Sequence, residues 1–311
     1  MKSGITPFGL VTVAWLLLAC SNADPTAAGD GNEKFTTWGE TFIETGIPAN
    51  SNGQDGFIDG WSLHYDKFLV NYHDIVVADG AGDVAATLEK PKFVDNTVPG
   101  RKTLAEFDGL KAKNWEKVSY QIKPAVLGED VVAGDASDLA KMMDNGWSIY
   151  VEGSATKSGA SGQVIRKTFH WGFKVATQFS DCHHEENGTD TLGVVVTTGS
   201  TDVTELTTHG DHLFYDRLQA SPDPAIRTAL RFDQKAAADE APYGNGDGEI
   251  TLEEMCTEPI DVFTYDPSGL NAPTVGDFVI ALSRTIGHYR GEGECTMSPI
   301  GERLKNPCLE L

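Results

Sequence analysis

Thr207-Thr208-His209-Gly210-Asp211-His212 sets two imidazoles three residues apart, with a carboxylate between them and a glycine that permits a sharp change of direction. Where a strand gives way to a helical turn, that spacing turns both rings to one side. Neutral imidazole nitrogens joined by a carboxylate suit zinc or copper, the borderline metals of an oxidising compartment. Asp211 either ligates or orients a ligand. The third ligand expected is His170, beside Trp171. His64 and His73, nine residues apart on one extended run, face opposite sides of an ideal strand, and His183-His184 beside Cys182 reads as an exposed loop. The competing reading is packing, with His209 and Asp211 capping a helix from Asp211 to Leu218 and His212 half-buried against a sheet.

A second set of oxygen ligands lies in Asn245-Gly246-Asp247-Gly248-Glu249-Ile250-Thr251-Leu252-Glu253-Glu254, which resembles an EF-hand calcium loop. Aligning Gly248 with the turn glycine puts Asn245 and Asp247 at the third and fifth positions, the carbonyl of Glu249 at the seventh and Glu254 at the bidentate one. Tyr243 stands at the first position, where an aspartate is usual. Asp239 and Glu240 lie just upstream, and a lengthened loop brings one of them back. The resemblance implies a structural calcium. Without calcium, the segment is a turn that caps Thr251–Met255.

Hydrolytic machinery of familiar kinds is missing: there is no Gly-x-Ser-x-Gly elbow, no His-Glu-x-x-His and no phosphate-binding glycine loop. With 46 acidic residues, chance carboxylate pairs carry no weight. The leading expectation is therefore a non-enzymatic protein that captures or presents a divalent cation. Two others stand beside it. One is a calcium-braced binding module in which Trp61, Trp115 and Trp147 line a groove; the other is a hydrolase with an open position on a histidine-bound metal.

The compartment follows from the first twenty residues. Lys2 is the only charge before an apolar run from Val11 to Leu18, too short to span a bilayer, and a small residue, Ala19, precedes Cys20. Leu17-Leu18-Ala19-Cys20 resembles the lipobox of bacterial lipoproteins. That resemblance implies cleavage of residues 1–19, acylation (palmitate among the chains) of Cys20, and, with Ser21 next, an outer-membrane anchor facing the periplasm or the cell surface. The formal charge of −22, from 46 acidic and 24 basic residues, repels nucleic acid and anionic lipid and attracts cations. With Cys20 acylated, Cys182, Cys256, Cys295 and Cys308 remain, enough for two disulfides in any of three pairings.

These groups must be positioned by a mainly β fold. Ser21 to about Lys34 reads as a flexible tether, residues 20–50 as tether and lead-in, 51–208 as an antiparallel β-sandwich, and 209–311 as a helical C-terminal region, α+β overall. Strand chemistry runs through Trp61–Val77, Val118–Ile122, Trp147–Val151, Val164–Ala176, Leu192–Thr198 and Val203–Thr208. Helical spacing appears at Ser137–Asp144, closed by Asn145-Gly146, at Pro224–Ala238 and at Val275–Ile286.

Leu63–Val77 and Trp171-Gly172-Phe173-Lys174 together resemble periplasmic copper-handling proteins encoded beside di-haem peroxidase-like partners. In that family histidines and a modified tryptophan bind the metal. The resemblance thus points to His170 and Trp171, to copper, and to an envelope partner such as a transport receptor.

Overall fold

The computed structural model describes residues 29–50, 55–159, 161–186, 188–218, 228–301 and Cys308. The expected signal segment and the expected acylation site Cys20 lie outside them. No helix among the described residues is long and apolar enough to cross a membrane. Strands hold 47% of the residues and helices 16%, so the fold is mainly β, with small helices at its margins.

The framework is a long strand, Trp61–Ala78, whose β-branched and aromatic side chains are buried almost continuously through its second half. It pairs antiparallel with Lys117–Ile122 on one side and Ile149–Ser158 on the other, and the sheet continues outward through Thr177–Glu186 and Val164–Phe173. A four-stranded sheet covers it, in the order Gly287–Tyr289, Thr201–Thr208, Asp30–Trp38, Lys102–Lys111. Its two middle strands run parallel, so the expectation of purely antiparallel pairing holds for most of the molecule but not here. Tyr72 joins the two layers: its hydroxyl meets Thr37 Oγ1 at 2.8 Å and Thr208 Oγ1 at 2.5 Å.

Three expectations about the chain path change. The tether expected to reach Lys34 ends sooner, because Asp30–Trp38 is a central strand with Phe35 wholly buried; alternation at Glu33, Phe35 and Thr37 is hidden by the Gly- and Asn-rich residues before it. His183 and His184 lie on the strand Thr177–Glu186, beside the buried Cys182, not in a loop. Beyond residue 208 the chain is not simply helical. Gly287–Tyr289 pairs with Thr201–Thr208, Glu294–Pro299 pairs with Thr177–Glu186, and Glu249–Ile250 adds to Val164–Phe173. One core therefore runs through both halves, from Phe35, Tyr65 and Trp171 to Phe214, Met255 and Val279.

The helices are short. Ala136–Asn145 ends as expected at Gly146, in the left-handed conformation (φ 67°) that glycine accepts. Val275–Leu282 begins at Thr274, whose Oγ1 accepts from Asp277 N at 3.1 Å. Of the helix expected over Pro224–Ala238, the described part is helical only at Asp233–Ala237. The four cysteines pair as Cys182–Cys295 and Cys256–Cys308.

Glu33 is a buried carboxyl on the small sheet. Burial pushes its carboxyl up from 4.5 to about 7, with Thr204 and Arg290 offsetting only part of the shift. A raised folded value means that the native state holds the proton more tightly than the unfolded chain does. The associated stability is present in full below pH 4.5 and is lost as pH rises through about 7. Denaturant unfolding should therefore show wild type losing about 2–3 kcal/mol more than Glu33→Gln between about pH 5 and about pH 8. Parallel curves for the two proteins would contradict this.

Candidate metal centre

At one end of the small sheet the strand Thr201–Thr208 stops at His209, whose N–H donates to Ile286 O at 2.8 Å. Gly210 then opens a single 3-10 turn, Asp211–Phe214, in place of the helix expected to Leu218, and no side chain caps it. Glycine is needed here for space and not for a left-handed bend. The backbone has an ordinary φ of −75°, but a Cβ would stand 2.6 Å from Ile43 Cγ1 and 3.0 Å from Tyr65 Cε2. Tyr65, fully buried beneath the turn, donates its hydroxyl to Gly210 O at 2.6 Å and fixes the peptide between His209 and Asp211.

That turn brings together ligand atoms of His209, Asp211 and His212, all within 4.8 Å of one another. The ring of a third imidazole packs beside them from the edge strand Gly287–Tyr289, where His288 is the register partner of Thr207, although its nitrogens are not among the ligand atoms that share that 4.8 Å spacing. The ring centroids of His209 and His288 are 4.3 Å apart, those of His209 and His212 5.1 Å, and those of His212 and His288 4.9 Å. Sequence spacing gave no sign of His288. It stands 79 residues beyond His209 in a three-residue strand with no local pattern, and only the pairing of that strand reveals it.

Surrounding groups orient these ligands. The Thr285 hydroxyl donates its one proton to Leu282 O at 2.8 Å, so at 2.9 Å from His212 Nδ1 it accepts, and the lone pair of His212 is left on Nε2. Tyr215 donates to Asp211 Oδ2 at 3.0 Å, while Asp211 Oδ1 is buried without a hydrogen-bond partner, 3.9 Å from His209 Nδ1. His288 Nδ1 is likewise buried without a partner. Burial, then the charges of His209 and His288, holds His212 well below its ordinary value. Burial, with His209, lowers His288 to about 4. Both rings are therefore neutral at physiological pH, with lone pairs available to an ion. Desolvation raises the Asp211 carboxyl and lifts that of Glu40 to about 7, which marks a pocket short of positive charge.

His170, expected as the third ligand, is elsewhere. It is exposed on Val164–Phe173, its Nδ1 2.5 Å from Glu249 Oε1. Trp171 lies in the core, with Nε1 donating to Ile250 O at 2.8 Å and the indole packed on Phe169. His64 is exposed beside Asp66, and His73 is buried 3.1 Å from Glu129 Oε1. Trp61 and Trp115 are buried and Trp147 stacks on Tyr150, an arrangement that serves packing.

The acidic loop closes on itself. Asp247 N donates to Asn245 Oδ1 at 2.8 Å, Glu249 N donates to Asp247 Oδ1 at 2.9 Å, and Glu254 accepts from Asn245 N at 3.2 Å and Thr251 N at 3.0 Å. Asp239, wholly buried, accepts through Oδ2 from Gly248 N at 3.0 Å and from the Lys167 ammonium, which also meets Glu240 Oε1 at 2.6 Å. Its Oδ1 is buried without a hydrogen-bond partner. Comparison with family models, curated proteins and solved structures found no match to this chain.

Proposed function

We propose that the protein is an envelope lipoprotein, anchored at Cys20, that binds one zinc or copper ion through His209, His212, His288 and Asp211. From that anchor it captures the ion or presents it to an envelope partner such as an outer-membrane transport receptor. The observation that carries this reading is a pair of buried polar atoms without partners, Asp211 Oδ1 and His288 Nδ1, in a cluster of three imidazoles. Leaving such atoms unpaired costs roughly 1–3 kcal/mol each, a cost that a bound cation removes. Capture is preferred over catalysis because His209 and His212 are buried.

Calcium at Asn245, Asp247, Glu249 and Glu254 belongs to the same reading as a brace, supported by the unpaired Asp239 Oδ1. The Lys167 ammonium against Asp239 weakens that site, consistent with filling at extracellular calcium levels.

The test is elemental analysis of the purified full chain after mild chelation and reloading. About one equivalent of zinc or copper is expected, with calcium retained only in calcium-containing buffer. Less than about a tenth of an equivalent of either transition metal would end the proposal.

A further inference from the structure

A second triad overlaps the first. Ligand atoms of Glu40, His209 and Glu292 lie within 4.8 Å of one another, so His209 belongs to both groups. The two triads differ in exposure: His212 is buried, Glu40 half-buried and Glu292 exposed. His209 Nδ1 faces both, 3.3 Å from Glu40 Oε2 and 3.9 Å from Asp211 Oδ1. The two acidic groups of the outer triad are held by unusual backbone. Glu40 itself adopts φ 55°, and Glu292 follows Arg290 (φ 51°) and Gly291 (φ 81°) in a tight turn closed by Tyr289 N to Gly293 O at 2.9 Å. Gly291 N donates to Thr207 Oγ1 at 2.8 Å, which fixes that turn to the strand leading into His209.

Resting on the metal reading above, we infer that Glu40, His209 and Glu292 form a loading position through which a divalent cation passes between solvent and the buried ligands. A hydrated ion cannot reach the buried His212 in one step, because stripping its water uncompensated is prohibitive. Carboxylate oxygens at the mouth replace water first. Glu292 and Glu40 take the ion to His209, and Asp211 Oδ1 then draws it inward as the outer oxygens let go. At each stage a ligand on the protein replaces one that departs, and release follows the same path in reverse.

The experiment follows zinc entering and leaving the full chain in detergent micelles by stopped flow with a chromophoric chelator, comparing wild type with Glu292→Gln and His212→Ala. Glu292→Gln should bind at equilibrium within about threefold of wild type, while its entry and exit rates both fall about tenfold. The slowing must persist at about 0.5 M salt, where long-range attraction by a single surface charge is screened. Unchanged rates, a slowing that vanishes with salt, or an affinity loss as deep as that of His212→Ala would each overturn the loading role while leaving the buried site standing. A wild-type chain that takes up no zinc removes both proposals together.

Discussion

Exchanging His212 and His288 together for alanine is expected to reduce retained zinc or copper from about one equivalent to below about a tenth, the largest effect of any change to the centre. His170→Ala should leave retention at the wild-type level. The contrast is sharp because the two ligand sets come from different arguments. Preference over His64 and His73, and the family resemblance around Trp171, select His170; the pairing of Gly287–Tyr289 with Thr201–Thr208 selects His288. His170 already spends its Nδ1 on Glu249, whereas His288 Nδ1 is buried without a partner. Thermal unfolding of the metal-free proteins serves as the folding control. Zinc lost from His170→Ala but kept by the double variant would reverse the assignment.

Breaking the Cys182–Cys295 disulfide should reach the same centre from a distance. The bridge closes 113 residues of chain, and removing such a link costs roughly 2–5 kcal/mol. It also clamps Glu294–Pro299 to Thr177–Glu186, and His288 lies only seven residues before Cys295. Replacing both cysteines by alanine is therefore expected to lower the unfolding free energy by that amount. Metal affinity should fall about 10–100-fold, as when the support of a ligand is loosened. The corresponding change at Cys256 and Cys308 should lower stability with a much smaller loss of affinity, since that bridge ties Cys256, just after Leu252–Met255, to Cys308, whose N–H donates to Asp277 Oδ1 at 3.1 Å on the helix Val275–Leu282. Equal loss of affinity from the two double variants would refute the link between the first bridge and the centre.

The β-rich character of the chain was legible in sequence because Trp61–Ala78 carries Phe, Tyr, Val and Ile at the density a doubly covered strand requires. The helix Ala136–Asn145 was legible through its glycine stop, and Val275–Leu282 through its apolar spacing. Asp30–Trp38 was not. Its neighbours in sequence are turn-formers, and its burial comes from strands that start about 70 and 170 residues later. The pair His209–His212 could be read locally because a strand end followed by one turn of helix is a local event. His288, Glu40 and Glu292 could not, for each reaches the centre through a long-range pairing or a left-handed residue that no periodicity announces. The acidic loop shows the converse. Its ligand spacing was visible, but the Lys167 ammonium against Asp239 comes from another strand and alters the charge that the spacing alone implies.

The parallel pairing of Asp30–Trp38 with Thr201–Thr208 sets the order in which the polypeptide can be completed. Asp30–Trp38 has no neighbour in its sheet until the chain has run on to Lys102–Lys111, and its other flank stays open until residue 201 has emerged. Closing so long a loop is slow compared with making hairpins, so this parallel pair forms later than hairpins such as Ile149–Ser158 with Val164–Phe173. A chain cut short anywhere before residue 201 therefore leaves Asp30–Trp38 without its parallel partner.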